Sequence, residues 1–338
     1  MADAVADAEV FGAAEIVAGD QEQILEQKDG QLWMTVDPDK LHKDHAKDEC
    51  GHDSVTWNIW ADATALPTEA GHYYLMTDVT LGAVAGVAYN NGAEVTICLN
   101  GYKLSRAGQL FTISGKLTIC DCVGTGACES SYGSNGGTLR LARGGTLNVY
   151  GGTYTNLKEV TTGGAVVVVS RDVYSGTGGT ADTTENKSTF NFYGGKISGG
   201  KTTGTGGNLT VFHAECTFNM YGGIIENGTS TGNGGNIRSY GTTNLLGGTI
   251  TGGSAAKNGD DVYMHGGTLT IGGNMNIGSI YLNGKSFKIH SSGLTTETPI
   301  EIIGTGTFAT NVLTDLTECF KSTGEIVYDE EAKTLTIQ

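Results

Sequence analysis

The chain has 338 residues, of which 54 are glycine and only 3 are proline, so it is neither collagen nor a proline-rich linker. Lysine and arginine number 20 and aspartate and glutamate 36, and the net charge of −16 argues against nucleic acid or an anionic membrane as partner. Charged residues make up 17% and apolar residues 38% of the chain, which excludes a charge-rich disordered polymer.

The N-terminal residues 1–71 are predicted to form a cap or extension. They begin without a basic start or an apolar segment, so we expect no signal peptide in this sequence. Four residues of the types that bind zinc stand within eleven positions: His42, His45, Cys50 and His52. Charged residues surround them, so the alternative is a solvated linker, and we expect no cofactor.

Strand-like runs follow at 73–75, 95–99 and 116–120. The first two cysteines in these runs are 22 residues apart, so Cys98 and Cys120 would lie on adjacent turns of a chain that winds with about that period. A bridge between them is one interpretation, and a small loop closed by Cys122 and Cys128 is another. The alternative is that these thiols are small buried apolar side chains.

A seven-residue motif recurs from residue 146 onward. Its copies are Thr146-Leu-Asn-Val-Tyr150-Gly-Gly152, Thr189-Phe-Asn-Phe-Tyr193-Gly-Gly195, Thr217-Phe-Asn-Met-Tyr221-Gly-Gly223 and Thr242-Thr-Asn-Leu-Leu246-Gly-Gly248, with a weaker one at Thr268-Leu-Thr-Ile-Gly272-Gly273. From the fifth position of the first copy the steps are 43, 28 and 25 residues. The long step holds an insertion near 170–187, which is predicted to be a surface loop.

Each repeat contains three short strand signals bounded by glycine. The first alternates, with Leu147 and Val149 inward and the Thr, Asn and Tyr positions outward. The second strand points Tyr154, Ile197, Ile225 and Ile250 inward. The third begins at Gly206-Gly207-Asn208-Leu209 and recurs at Gly234-Gly235-Asn236-Ile237 and Gly259-Asp260-Asp261-Val262.

Three strands per 25 to 28 residues predict an all-β fold, a right-handed parallel β-helix in which like side chains stack on successive coils. Glycine supplies the corners, and proline is rare because it would remove a ladder hydrogen bond. We expect the helix over 72–303, with about nine coils, and C-terminal cap strands over 304–338, ending in a hairpin.

Several upstream segments resemble a known group of proteins. They are Val55-Thr-Trp-Asn-Ile-Trp60, Gly71-His-Tyr-Tyr-Leu75, Cys98-Leu-Asn-Gly101 and Leu117-Thr-Ile-Cys-Asp-Cys122. Together with the Tyr-Gly-Gly coils, they are similar to large, surface-exposed, adhesin-like β-helix proteins of Gram-positive gut bacteria. The resemblance covers roughly residues 55 to 330 and implies a surface protein. Many such proteins carry a wall-sorting tail, and this sequence stops at Gln338 without one.

The outward positions of the first strand form the candidate binding surface, which we name the Thr-Asn-Tyr strip. It comprises Thr146, Thr189, Thr217, Asn148, Asn191, Asn219, Asn244, Tyr150, Tyr193 and Tyr221. Stacked tyrosine and asparagine suit sugar rings or a protein partner. The alternative is that the strip only stabilises the stacked coils.

Catalysis would need clustered acids, with Ca²⁺ and a basic residue in a β-helix lyase. Asp260-Asp261 is the single paired-acid segment of the coils, Arg238 precedes it by about one coil and Tyr263 follows it. The other titratable candidates are His213, Glu215 and His265. A corner role for Asp261 is the simpler interpretation, because it replaces Asn208 and Asn236 in the repeat.

The sequence therefore favours a secreted or cell-surface binding module without catalysis. We expect it to bind host glycans or glycoproteins through the Thr-Asn-Tyr strip and the loop near 170–187. The first alternative is a polysaccharide lyase or glycoside hydrolase of the β-helix type, and the second is a structural spacer. We expect a monomer.

Overall fold

The computed structural model describes residues 23–28, 31–36, 57–82, 87–89, 92, 94–134, 137–170 and 187–338. The chain divides into two units, Met1–Val55 and Thr56–Gln338. The described part of the first unit is an antiparallel pair of strands, Gln23–Lys28 and Gln31–Val36. The domain limits expected from the sequence, 1–71, 72–303 and 304–338, stay predictions.

The second unit winds as a parallel β-solenoid, and its coils contribute to three long ladders of strands. Sheet 1 carries the repeat motif, and its strands alternate between inward apolar and outward polar side chains. Its strands are Trp57–Trp60, Gly71–Leu75, Glu94–Cys98, Lys116–Cys120, Thr146–Val149, Thr189–Phe192, Thr217–Met220, the first halves of Thr242–Thr251, Thr268–Ile277 and Phe287–Thr295, and Gly306–Thr310.

Sheet 2 follows the glycine pair of each coil. Its strands are Val79–Leu81, Lys103–Arg106, Ala127–Ser130, Thr153–Asn156, Lys196–Ser198, Ile224–Glu226 and the second halves of the three long strands shared with sheet 1. Tyr154, Ile197, Ile225 and Ile250 are fully buried neighbours along this sheet, as the repeat predicts. A two-residue ladder follows it in three coils: Lys201–Thr202, Thr229–Ser230 and Ser254–Ala255.

Sheet 3 has ten parallel strands and closes the coils. They are Val87–Tyr89, Phe111–Ile113, Leu139–Leu141, Val167–Val169, Leu209–Val211, Ile237–Ser239, Val262–Met264, Ser279–Tyr281, Ile300–Ile303 and Phe320–Lys321. Leu209, Ile237 and Val262 pair in register, as the glycine-rich segments before them predict.

The interior between the sheets is a continuous column of apolar side chains. Phe190 and Phe218 occupy one inward column of sheet 1, and their rings stack with centroids 5.2 Å apart. Because one coil has too little apolar surface to exclude water, stacking many coils is what makes this core large enough to be stable. The predicted all-β, parallel β-helix is confirmed.

The C-terminal end changes from parallel to antiparallel pairing. Strand Thr334–Ile337 pairs antiparallel with both Gly306–Thr310 and Ile326–Asp329, and a short 3₁₀ turn lies at Thr317–Cys319. This hairpin covers the edge of the last sheet 1 strand, which would otherwise offer unpaired backbone groups. In the described part of the chain no helix is long and apolar enough to cross a membrane.

Candidate functional site

The tyrosines of the Thr-Asn-Tyr strip form one stacked column on successive coils. The rings of Tyr150 and Tyr193 have centroids 4.4 Å apart and an interplanar angle of 3°, and those of Tyr193 and Tyr221 are 4.9 Å apart at 11°. The spacing follows the strand separation of a β-sheet, which is about 4.8 Å. Because neighbouring rings cover each other's faces, the column presents ring edges and phenolic hydroxyls.

The asparagines of the strip form a hydrogen-bonded amide ladder. Asn244 donates from Nδ2 to Oδ1 of Asn219 at 2.8 Å, Asn219 donates to Asn191 at 2.8 Å, and Asn191 donates to Asn148 at 2.9 Å. The ladder continues from Asn148 to the hydroxyl of Thr118 at 3.2 Å. Each internal amide uses one N–H and one oxygen lone pair in the ladder, so one donor and one acceptor remain available on every rung.

The threonines complete the strip. Thr146, Thr189 and Thr217 pair in register on sheet 1, and each is half-buried. The structure thus brings all seven predicted binding residues together on one face of the solenoid: Thr189, Asn191, Tyr193, Thr217, Asn219, Tyr221 and Tyr150. Whether they bind a ligand stays a prediction.

The Gly-Gly pair explains why the strip can turn into sheet 2 in the same way in each coil. A Cβ atom at Gly222 would lie 2.5 Å from the carbonyl oxygen of Tyr193, and one at Gly247 would lie 2.4 Å from that of Tyr221. The second glycine of each pair has a positive φ, 82° at Gly223 and 104° at Gly248. Both positions therefore need glycine, the first because of space and the second because of backbone conformation.

The acidic pair of the sequence lies at a corner and is used structurally. Asn208 donates to Oδ1 of Asn236 at 2.7 Å, and Asn236 donates to Oδ1 of Asp261 at 2.8 Å. The carboxylate of Asp261 also accepts the backbone N–H groups of Gly253 at 2.9 Å and Ser279 at 3.0 Å. Burial raises its pKa despite these hydrogen bonds. The corner role expected from the repeat is therefore what the geometry gives.

Arg238 belongs to a different face, the outer side of sheet 3. Its guanidinium lies 5.4 Å from the ring centroid of Tyr240 and 6.0 Å from that of Phe212, which are cation–π distances. Burial lowers the pKa of Arg238. Among the described residues no carboxylate pairs with it. The side chain stands apart from Asp261, whose carboxylate points into the corner ladder.

Other candidates for catalysis extend this aromatic face. The ring of His265 lies 4.6 Å from that of Tyr240, and Tyr263 stacks on Tyr281 at 5.4 Å. Burial, with Arg238 and Lys285, lowers the pKa of His265. His213 faces the hydroxyl of Ser170 at 3.4 Å, while Glu215 is exposed in the following turn.

The sequence indicated Arg238, Tyr263 and His265 singly, but Phe212 and Tyr240, and the grouping of these side chains on one face, were not predicted, although one signal was present. Phe212, Tyr240 and His265 follow successive strands of sheet 3 at steps of 28 and 25 residues, the same steps as the Tyr-Gly-Gly motif. A glycine pair follows His265 but neither Phe212 nor Tyr240, so the glycine pattern does not mark the series as a whole.

The cysteines are arranged differently from either predicted pairing. Cys98 and Cys120 are register partners on sheet 1, as predicted, but the Sγ atom of Cys98 also lies 3.0 Å from that of Cys122, in the turn that follows Cys120. Cys128 is fully buried inside sheet 2, next to Tyr154 in register, and its thiol is free, so it closes no loop with Cys122. Burial raises its pKa.

The proposed zinc ligands His42, His45, Cys50 and His52 lie outside the described residues, as does most of the predicted contact loop, residues 171–186. Within the described ranges, no group of three or more His, Cys, Asp or Glu side chains could hold a metal ion. Zinc binding at residues 42–52 stays a prediction.

Comparisons of the chain with protein-family models, curated proteins and solved structures gave no match. What the chain does must therefore be argued from its own geometry.

Proposed function

We propose that this chain is a secreted or cell-surface β-helix module that binds host glycans or glycoproteins through the Thr-Asn-Tyr strip and catalyses no reaction. The observation that carries the proposal is the amide ladder beside the stacked tyrosines. Along this face, hydrogen-bonding groups repeat at the coil spacing, with ring edges next to them. The resemblance of the sequence to adhesin-like surface proteins supports the same location and role.

The geometry favours a ligand that is itself repetitive and rich in hydroxyl groups. Each rung offers an amide N–H and an amide oxygen lone pair that the ladder leaves over, and hydroxyl groups of a sugar can use both. The ladder also fixes the amides before a ligand arrives, so little side-chain entropy is lost on binding. The chain's charge of −16 favours neutral saccharides over polyanionic ones.

A glycan and host-glycoprotein binding screen tests the proposal. We expect the full chain to bind neutral glycans and the Tyr221→Ala and Asn219→Ala variants to bind several-fold more weakly, since a lost hydrogen bond of about 1 kcal/mol corresponds to about a five-fold change. Tyr240→Ala is the matched control, because Tyr240 is 40% exposed, close to the 44% of Tyr221, but directly follows a strand of sheet 3 instead of sheet 1. Equal binding by all variants would remove the strip from the proposal.

The same screen separates the two alternatives. If the chain is a structural spacer, neither the wild type nor any variant should bind a glycan or glycoprotein in the screen. A lyase or hydrolase predicts shortened glycan products after incubation, detected as new reducing ends or unsaturated sugars. Because Asp261 is held in the corner ladder, we would then look for loss of product in Arg238→Gln rather than in Tyr221→Ala.

A further inference from the structure

Two cysteines from neighbouring coils place their sulfur atoms in direct contact. Cys98 ends the strand Glu94–Cys98 and is fully buried, whereas Cys122 is half-buried in the turn that follows Lys116–Cys120. Their Sγ atoms are 3.0 Å apart. A disulfide needs the two atoms only about 1 Å closer.

The backbone around this pair is held on both coils. The carboxylate of Asp121, which lies between Cys120 and Cys122, accepts the N–H of Gly101 at 2.8 Å and the N–H of Gly126. The N–H of Leu99, next to Cys98, donates to the carbonyl of Cys120 at 2.8 Å. These hydrogen bonds join the two turns, so the sulfur contact is built into the packing of the coils.

We infer that Cys98 and Cys122 form an inter-coil disulfide when the protein meets an oxidising thiol–disulfide environment. Cys120 is the register partner of Cys98, but its Sγ is directed to the carbonyl oxygen of Ile97 at 3.8 Å. The half-exposed Cys122 gives a small oxidant access to the pair. The bridge would fasten the coil beginning at Glu94 to the coil beginning at Lys116, next to the start of the repeat.

The oxidation is an exchange with a low-molecular-weight disulfide such as oxidised glutathione. The Cys122 thiolate attacks one glutathione sulfur, forms a mixed disulfide and releases one glutathione thiolate. The Cys98 thiolate then attacks the Cys122 sulfur and releases the second. The protein loses two protons and two electrons, and one glutathione disulfide is reduced to two thiols.

The test incubates the full chain in glutathione buffer poised to be oxidising, then quenches free thiols and maps peptides by mass spectrometry. We expect a Cys98–Cys122 linkage in the wild type and in Cys120→Ser, and none in Cys122→Ser or Cys98→Ser. Cys50→Ser serves as a further control for a thiol outside the described residues. A Cys98–Cys120 linkage, or a complete set of free thiols at 98 and 122, would overturn the inference.

The thermal midpoint gives a second readout that does not depend on peptide recovery. In oxidising buffer the wild type should melt several degrees higher than in reducing buffer, whereas Cys122→Ser should melt at the same temperature in both. Because no glycan enters either measurement, the outcome is independent of the proposed binding function.

Discussion

Tyr193 and Tyr221 stand one coil apart and stack their rings at 4.9 Å and 11°. Tyr150 covers the other face of Tyr193 at 4.4 Å, so Tyr193 has two ring partners and Tyr221 has one in this column. Tyr193 is therefore a middle position of the column and Tyr221 an end position. Comparing the stability of variants at these two positions measures what stacking contributes to the fold, independently of any ligand.

Tyr193→Ala should destabilise the fold by roughly twice as much as Tyr221→Ala. An aromatic pair contributes about 0.5–1.5 kcal/mol beyond the area it buries, and the first variant loses two pairs while the second loses one. Urea unfolding of both variants measures the costs, and Tyr193→Phe, which keeps the stacked ring, should cost less than Tyr193→Ala. Equal costs for the two alanine variants would show that stacking adds nothing to stability.

The amide ladder permits a comparison of the same kind. Asn219 makes two ladder hydrogen bonds, to Asn191 and from Asn244, whereas Asn244 makes only the one to Asn219, since Thr270 follows it in register. At about 1 kcal/mol per hydrogen bond, Asn219→Ala should cost about 2 kcal/mol and Asn244→Ala about 1 kcal/mol. The free energy of unfolding of each variant, compared with that of the wild type, measures these two costs. A larger cost at Asn244 would mean that the ladder does not govern these energies.

Much of this surface could be predicted because stacking forces the register. Strands separated by about 4.8 Å put chemically matching residues directly over one another, so the repeated Thr-x-Asn-x-Tyr-Gly-Gly motif predicted the strip. Together with the recurring glycine-rich segment before the third strand, it predicted the three-strand coil. The same logic placed Asp261 in the column of Asn208 and Asn236, with which it shares the corner ladder.

Other features depend on contacts that occur in one coil only and therefore leave no repeated pattern in the sequence. The period made Cys98 and Cys120 register partners, but Cys122 lies in the turn after the strand, where the repeat does not predict side-chain directions, so its contact with Cys98 was missed. Similarly, Thr243 occupies an inward position that Phe218 fills in the preceding coil. Its hydroxyl donates to Ser239 at 2.7 Å, and such tertiary compensation is not visible in a pattern of apolar residues.

Gly222→Ala should be strongly destabilising, while Gly82→Ala should be close to neutral. The added methyl group at 222 would meet the Tyr193 carbonyl oxygen at 2.5 Å, which forces the stacked coils apart and should cost about 1–3 kcal/mol. Among the described residues other than its chain neighbours, no atom lies within 4 Å of a Cβ at Gly82, and fewer unfolded conformations would add about 0.4–1 kcal/mol of stability there. Thermal unfolding of the pair measures this. A tolerated Gly222→Ala would show that the coil spacing is not fixed by this contact.

Asp261→Asn should lower stability near neutral pH even though asparagine occupies the equivalent position in the two preceding coils. Asp261 accepts three hydrogen bonds through its two oxygens, including one from the N–H of Ser279 to Oδ2. An amide NH₂ group in place of Oδ2 would face that N–H, and a buried donor without an acceptor costs about 1–3 kcal/mol. The acceptor-only carboxylate is therefore suited to end the ladder.

The pH dependence of this difference has a definite sign. Burial raises the folded-state pKa of Asp261 above its ordinary value of 3.8, so the folded protein holds this proton more tightly than the unfolded chain. The contribution of the carboxyl group to the free energy of unfolding therefore falls as pH rises from below 3.8 through the raised folded value, and Asp261→Asn removes that fall. Unfolding of wild type and variant across this range should show the advantage of the wild type shrinking as pH rises. Asp260→Asn, at the exposed neighbour, removes a charge that helps to raise this pKa, so it should make the fall smaller without abolishing it. An advantage that grows with pH would mean that the hydrogen bonds to Asp261 outweigh its burial.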